Sequence, residues 1–495
     1  MTVFSGGWTL EAAEEVAYLE KEAKGTVLDL ISQLVDKSLV FVEPLEHTIR
    51  YRMLETVRQY GINKLREQRE IEKARRDHLD YFVQLAEEMD KGLRDERQIE
   101  SLEVLDIEHD NLRRALRHSI DRANPDLAFR LVGALGWFWF MRGFWKESWI
   151  WLNQSLDIKT GSDPLLRVKA IYRAGGLELI RGKLTGTTEL VEESLITCRE
   201  MEDSEGAAWC LNLLGQAGTW GYKEIEEADA RLSESFEIFG ELDDDWGLAW
   251  SLRYLGQIAE IQGDFEKSIS MQREALDRFE EIGDIWNSAH SLNLMGGSMY
   301  QNGDSEEAKL AYEHSLEKCS LVEDKVMAAH ALRGLALIAL QRNDLDQAKQ
   351  LSLDALEALQ KIGDENCASG AIRDLGEIAR RQGEFERAAD LLRQSLLSYV
   401  EMGNKVPTGI TIERFASLAG SMGNDAQAAL LLAAVEKNIG DTISSSPTLR
   451  KEHKMLVAST QESLGSQVFE QLWSKGAEMD LEEAAALAMD EQSEE

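Results

Sequence analysis

The stretch Ser291–Leu316, SLNLMGGSMYQNGDSEEAKLAYEHSL, sets the reading of the whole chain. It carries three marks: a small residue at Gly296, a turn-former at Gly303, and a small-then-apolar pair at Ser315-Leu316. The first mark recurs at Gly136, Gly175, Gly215, Gly256, Gly296, Ala336, Gly376 and Ala416, a nearly constant spacing. The second follows at Gly143, Gly182, Gly263, Gly303, Asn343, Gly383 and Gly423, always the same short step behind the first. The third comes at Ser155-Leu156, Ser194-Leu195, Ala275-Leu276, Ser315-Leu316, Ala355-Leu356 and Ser395-Leu396, again at one fixed offset. A fixed period of this kind means one supersecondary unit repeated and stacked. With only 5 prolines in 495 residues, the units are helical. The fold expected is all-α: a solenoid of about eight ~40-residue helix pairs. In each, helix A ends at the Gly/Asn mark and a longer helix B follows.

Composition narrows the function. The formal charge of −36 argues against broad binding to nucleic acid or anionic membrane, and 43% hydrophobic residues suffice for packed structure throughout. Cys198, Cys210, Cys319 and Cys367 form no C-x-x-C pair and fall in helical segments, as thiols of a reducing compartment would. No basic leader precedes an apolar run, and Leu131–Met141 is far shorter than the ~20 residues that cross a bilayer. A cytoplasmic location is expected, with no membrane partner.

Four regions are expected. Residues 1–74 read as helix, helix and hairpin: Leu10–Val16 capped by Thr9, Val27–Ser38, then strands Leu39–Val42 and Ile49–Met53. That order is a partial winged helix lacking its first part. Residues 75–125 form a helical connector, 126–440 the repeats, and 441–495 a helical cap with an acidic tail.

Within one unit, Leu292, Met295-Gly296, Met299, Ala308, Tyr312 and Ser315 resemble the tetratricopeptide pattern, which implies a right-handed solenoid. The unit is longer than the usual tetratricopeptide period, and no proline follows helix B. This longer form is similar to the repeats of bacterial signal-transduction regulators, the maltose-regulon activator and the actinomycete antibiotic-pathway regulators among them. The flanks are similar too. Val3–Ala13 resembles the start of the winged helix that follows the nucleotide-binding domain in these STAND (NB-ARC-type) ATPases. Leu34–Leu39 and Tyr51–Tyr60 resemble its later parts. Glu108-His109-Asp110-Asn111-Leu112-Arg113-Arg114-Ala115-Leu116 resembles the connector helix. Leu464-Gly465, Phe469, Trp473, Gly476 and Leu481–Ala484 resemble the C-terminal module. The resemblance implies the C-terminal two-thirds of such a regulator, its natural end intact and its nucleotide-binding domain absent. The nearest approach to a P-loop, Gly176 to Gly182-Lys183-Leu184, has one residue too many and Leu where Ser or Thr must reach magnesium.

The site expectations rest on helix A. One column holds Trp209, Trp250, His290, His330 and Gly370, and a second, three residues on, holds Asn212, Arg253, Asn293, Arg333 and Arg373. That spacing places the columns on one face. With Arg380 and Arg381 they would line a groove for an acidic or C-terminal peptide, a protein or a small effector, arginine forks suiting carboxylates. The opposing reading pairs these arginines with glutamates of adjacent helices. No metal, cofactor or catalytic set is expected, since no carboxylate-and-cysteine group converges on His290 or His330 in the pattern. Trp137, Trp139, Trp145, Trp149 and Trp151 crowd the first repeat, as packing that seats the solenoid on its connector or else as an exposed docking patch. The function expected is a non-catalytic sensing scaffold working with an ATPase in cis or trans. One alternative is a DNA-binding regulator acting through residues 50–76, which hold 9 basic and 4 acidic residues. Another is a fragment of a multidomain ATPase or cyclase.

Overall fold

Left-handed backbone at a helix end costs glycine nothing and stops the helix where it stands. The second sequence mark does this: Gly143, Gly263, Gly303, Gly383 and Gly423 have φ of 71°, 81°, 101°, 79° and 80°, and Asn343 has 61°. The computed structural model describes residues 1–17, 24–45, 48–180, 186–221 and 225–490. Gly182, Lys183 and Leu184, the end of the P-loop-like string, lie outside them.

The chain opens with α1 (Leu10–Val16), α2 (Lys24–Asp36), β1 (Val40–Pro44), β2 (Ile49–Met53) and α3 (Glu55–Glu67). Thr9 caps α1 as expected, its hydroxyl accepting the Ala12 N–H at 3.2 Å. The strands pair antiparallel, Val40 opposite Met53, and Trp8 adds a bridge to Tyr51. The connector is α4 (Ile71–Gly92) and α5 (Gln98–Asp121), both longer than the sequence pattern suggested. α4 runs unbroken through residue 74.

The repeats follow as eight A/B pairs among the described residues: α6 (Pro125–Arg142) with α7 (Trp145–Leu156), α8 (Pro164–Ile180) with α9 (Thr187–Glu200), α10 (Ser204–Gly221) with α11 (Ile225–Glu241), and α12 (Asp245–Ile261) with α13 (Phe265–Ile282). Then come α14 (Ile285–Asn302) with α15 (Ser305–Val322), α16 (Lys325–Gln341) with α17 (Leu345–Ile362), α18 (Glu365–Arg381) with α19 (Phe385–Glu401), and α20 (Lys405–Ser421) with α21 (Asp425–Ser445). Helices α22 (Pro447–Leu464), α23 (Ser466–Gly476) and α24 (Leu481–Met489) close the chain, after a break from helical geometry at Ile439 inside α21. The chain forms two compact units, one of Met1–Leu248 with Glu281–Asp284, the other of Ala249–Glu280 with Ile285–Glu495.

The other two marks also have physical causes. Small residues of helix A let helix B or the next helix A approach. A Cβ at Gly256 would meet the Gln272 side chain at 2.8 Å, and one at Gly376 would meet Leu392 at 2.9 Å. The equivalent Ala336 and Ala416 are buried. The small residue of helix B ties the pair together. Ser315 Oγ donates to Ala289 O at 2.9 Å and Ser395 Oγ to Ser369 O at 2.8 Å. Ser235, absent from the sequence tally, makes the same bond to Ala208 O at 2.9 Å. Buried and satisfied, such a bond contributes about 1 kcal/mol and fixes helix register.

The regulator-like motif on α5 clamps the N-terminal segment. Glu108 forms a buried ion pair with Arg50 of β2, whose Nε and Nη2 also donate to Gly6 O and Gly7 O at 3.2 Å. Asn111 accepts the Ser5 N–H at 2.6 Å and donates to Gly7 O at 2.9 Å.

Candidate functional site

Within each unit successive A helices adjoin in a row, so side chains in one repeat reach the start of the next. Asp324 and Asp364 cap α16 and α18, accepting the N–H groups of Met327 and Cys367 at 3.0 and 2.9 Å. The histidine of the preceding A helix finds the same aspartate: His290 Nε2 lies 2.9 Å from Asp324 and His330 Nε2 lies 3.4 Å from Asp364. The two rings differ electrically. Burial lowers His290 below the usual histidine value despite Asp324. At His330 burial also opposes the charge, but Cys367 and then Asp364 outweigh it and raise the imidazole to about 10. The difference lies one residue type away: Met327 occupies in its repeat the place that Cys367 takes in the next. His330 Nδ1 stands 3.6 Å from Cys367 Sγ, and ligand atoms of His330, Asp364 and Cys367 all lie within 4.8 Å of one another. The expectation that no carboxylate and cysteine converge on these histidines is corrected here. Cys367 is half-buried, whereas Cys198, Cys210 and Cys319 are buried.

The expected open groove is also corrected, by burial. Trp209 and Asn212 are buried in the first unit, and Trp250 and Arg253 in the second. Trp209 packs edge-on to Trp137 and Phe239 with ring centres at 5.8 and 4.9 Å. Asn212 accepts from Gln216 at 2.7 Å. The Arg253 guanidinium lies 4.0 Å from the Trp250 ring centre and donates to Asn287 at 2.6 Å, a desolvated stacking that a free ligand cation lacks. These four cannot line an open wall.

The remainder gathers in the second unit as a charged network, with Gly370 and Arg373 buried and His290, Asn293, His330, Arg333 and Arg380 half-buried. Arg333 Nε is 3.0 Å from Asp374, and Arg373 is 3.5 Å from the same carboxylate. The bare Cα of Gly370 makes room: a Cβ there would sit 2.8 Å from the Arg333 guanidinium. Arg380 and Arg381 both hold Glu377, at 2.7 and 2.8 Å. Burial pushes that carboxyl up, but Arg380 and its neighbours prevail and bring it to about 2. Asn293 reaches Met327 O at 3.5 Å. Arg333 meets an aspartate of the next A helix, whereas Arg373, Arg380 and Arg381 hold acids of α18 itself, so these contacts are not the pairing with glutamates of adjacent helices that the opposing sequence reading expected.

Sequence reasoning missed what else touches this row. Helix α22 is seated on it. Thr448 Oγ1 donates to Tyr300 O of α14 at 2.7 Å, and Ser446 Oγ to Gln301 Oε1 at 2.6 Å. Glu452 meets Arg414 of α20 at 2.7 Å. His453 lies between Glu413 at 3.3 Å and Glu436 at 3.0 Å. Burial opposes its charge, but Glu413 first and Glu436 second raise it above the ordinary value. A histidine whose folded pKa is raised stabilises fully below about pH 6.5, and the contribution fades as pH climbs through the raised value. Amide exchange in α22, corrected for its intrinsic rate, should therefore quicken from pH 6 to 9 in the native chain. It should lose that dependence in His453→Asn; an equal dependence in both would remove the histidine from the docking.

The tetratricopeptide repeat family model matches residues 223–281. A Mycobacterium tuberculosis protein named "Putative HTH-type transcriptional regulator" is 29% identical over 220 residues, 43% of this chain and 25% of that protein. The match therefore spans about a quarter of the relative's length. A shorter stretch of 68 residues is 38% identical to an uncharacterized M. tuberculosis protein, 14% of this chain and 17% of that one. Among solved structures, a STAND protein with a tetratricopeptide repeat sensor from Pyrococcus horikoshii aligns with 94% of this chain and 65% of its own, at 15% identity and a TM-score of 0.48. A Rap protein complexed with Competence and Sporulation Factor aligns with 68% of this chain and 99% of its own, at 12% identity and a TM-score of 0.48. The chain is built of tetratricopeptide-like repeats, and part of it is similar to a putative HTH-type transcriptional regulator. No helix among the described residues is long and apolar enough to cross a membrane.

Proposed function

We propose that this chain is a non-catalytic sensing scaffold of a signal-transduction or transcriptional regulator. It binds a protein segment or a small effector along the row of A helices of the second unit and passes occupancy to a nucleotide-hydrolysing domain in cis or trans. The observation that carries the reading is α22: a polar helix already lies on the row, with a carboxylate on Arg414 and hydroxyls on α14. The chain's own segment displays ligand chemistry that suits the row, namely a helix that offers one carboxylate, Glu452, and short hydroxyl side chains. The α5 clamp on Arg50 supports the relay, since it joins the N-terminal module rigidly to the connector.

The DNA-binding alternative loses support from the same geometry. Arg50, Arg52, Arg58, Lys64 and Arg75 each pair with a glutamate. A photo-crosslinking residue in place of Leu337, on the face that holds His330 and Arg333, should capture a discrete protein or effector in cells. The same group at exposed Leu353 of helix B should not. No product from Leu337, or one product from both faces, would end the proposal.

A further inference from the structure

The connector holds a cavity of about 480 Å3, away from the row of A helices. Arg75 of α4 and Arg113, Arg114 and Arg117 of α5 line it, with Asp110 and Asp121 also on the wall. In a chain carrying 90 acidic residues against 54 basic ones, such a gathering is unexpected. Three of the four arginines are engaged. Arg113 binds Glu147 at 2.6 Å, Arg117 stacks over Trp151 at 4.8 Å, and Arg75 stands 3.8 Å from Glu72.

Arg114 is the exception. Among the described residues it has no hydrogen bond and no ion pair, and the charges that act on it most are those of Arg58 and Arg75. Burial first, then repulsion from those two arginines, brings its guanidinium down to about 10, with Glu55 opposing weakly. The two histidines of the wall add no charge that would relieve it. Burial drives His78 down to about 3, leaving it neutral, and burial with Arg75 lowers His118 as well. A half-buried arginine held among like charges raises the free energy of the empty site, and an anion would remove that cost. The planar fork matches phosphate oxygens, two donors at a time, and the cavity falls in the usual range for small-molecule sites.

We propose that this cavity binds a compact phosphate-bearing anion, with Arg114 as its principal contact and Arg75, Arg113 and Arg117 around it. The basic segment at residues 50–76 then has a partner other than nucleic acid: two of its arginines, Arg58 and Arg75, set the potential of the site.

The probe is sodium pyrophosphate on the full chain, with inorganic phosphate as a second arm and sodium chloride at matched ionic strength as reference. Pyrophosphate should raise the melting temperature above the chloride reference, and phosphate should do so less, because it offers fewer charges to the same arginines. Arg114→Gln should bind pyrophosphate at least tenfold more weakly by calorimetry. Without anion it should melt no lower than the native chain, since a like-charge contact has been removed. Asp121→Asn should bind more tightly. If pyrophosphate acts like chloride on the native chain, or Arg114→Gln binds as the native chain does, the proposal fails.

Discussion

Glu108→Ala should lower the free energy of the first unfolding transition by about 3–5 kcal/mol, the usual cost of removing one partner from a buried ion pair. The loss comes from what is left behind. Arg50 would keep its bonds to Gly6 O and Gly7 O but lose its counter-charge at a site where its side chain is 3% exposed. Asn111 would lose the Glu108 oxygen that its amide meets at 2.6 Å. The damage should be local, because both partners join the N-terminal segment to α5. Limited proteolysis is predicted to cut first within residues 1–60, and amide exchange to rise there while the second unit stays protected. A melting profile unchanged by the substitution would show that the motif does not hold this segment.

The second large effect separates two glycines that look alike in the repeat. A Cβ at Gly136 would stand 2.7 Å from Arg173 Cβ and 2.8 Å from Arg173 C and O. Backbone cannot swing aside as a side-chain end can, so α6 and α8 must part. Gly136→Ala should cost about 3 kcal/mol, at the upper end of overpacking. At Gly175 the same methyl group meets nothing nearer than Thr187 Cγ2 at 3.6 Å, an ordinary contact. Gly175→Ala should be neutral or stabilise by roughly 0.5–1 kcal/mol, the helix-propensity difference. Equal effects of the two on chemical denaturation would mean that the close approach is not what the first mark records.

The contrast shows how far the sequence reaches. Marks that depend on local backbone, such as the left-handed caps from Gly143 to Gly423, were legible because each is a property of one residue at one place. The helix pairs, the hairpin and the Thr9 cap were legible for the same reason. The site was legible only in part. Periodicity placed Trp250 beside Arg253 and His330 beside Arg333, since residues three apart share a helix face. It did not say which faces are covered. The contacts of Ser446 with Gln301 and Thr448 with Tyr300 join elements far apart in the chain and leave no periodic trace. The approach of His330 to Cys367 did leave one: histidine and capping aspartate recur at the same separation in two repeats, and Cys367 lies three beyond the second aspartate. Arg114 was quoted within a motif, but the loneliness of its charge depends on α3 and α4 and could not be read from α5 alone.

The seat of α22 has a consequence for sensitivity. A segment joined to its own binding surface competes as though present at an effective concentration on the order of millimolar. On the proposed reading, a partner arriving from solution would gain a foothold on α14 and α20 only by outcompeting that tethered rival. Its apparent affinity is discounted by the fraction of time the rival is docked. The tether thus sets a threshold. On the proposed reading, stray helices of weak affinity would leave the row closed, and only a ligand that binds well beyond the chain's own helix, or that meets it where the His453 charge has faded, would register as a signal.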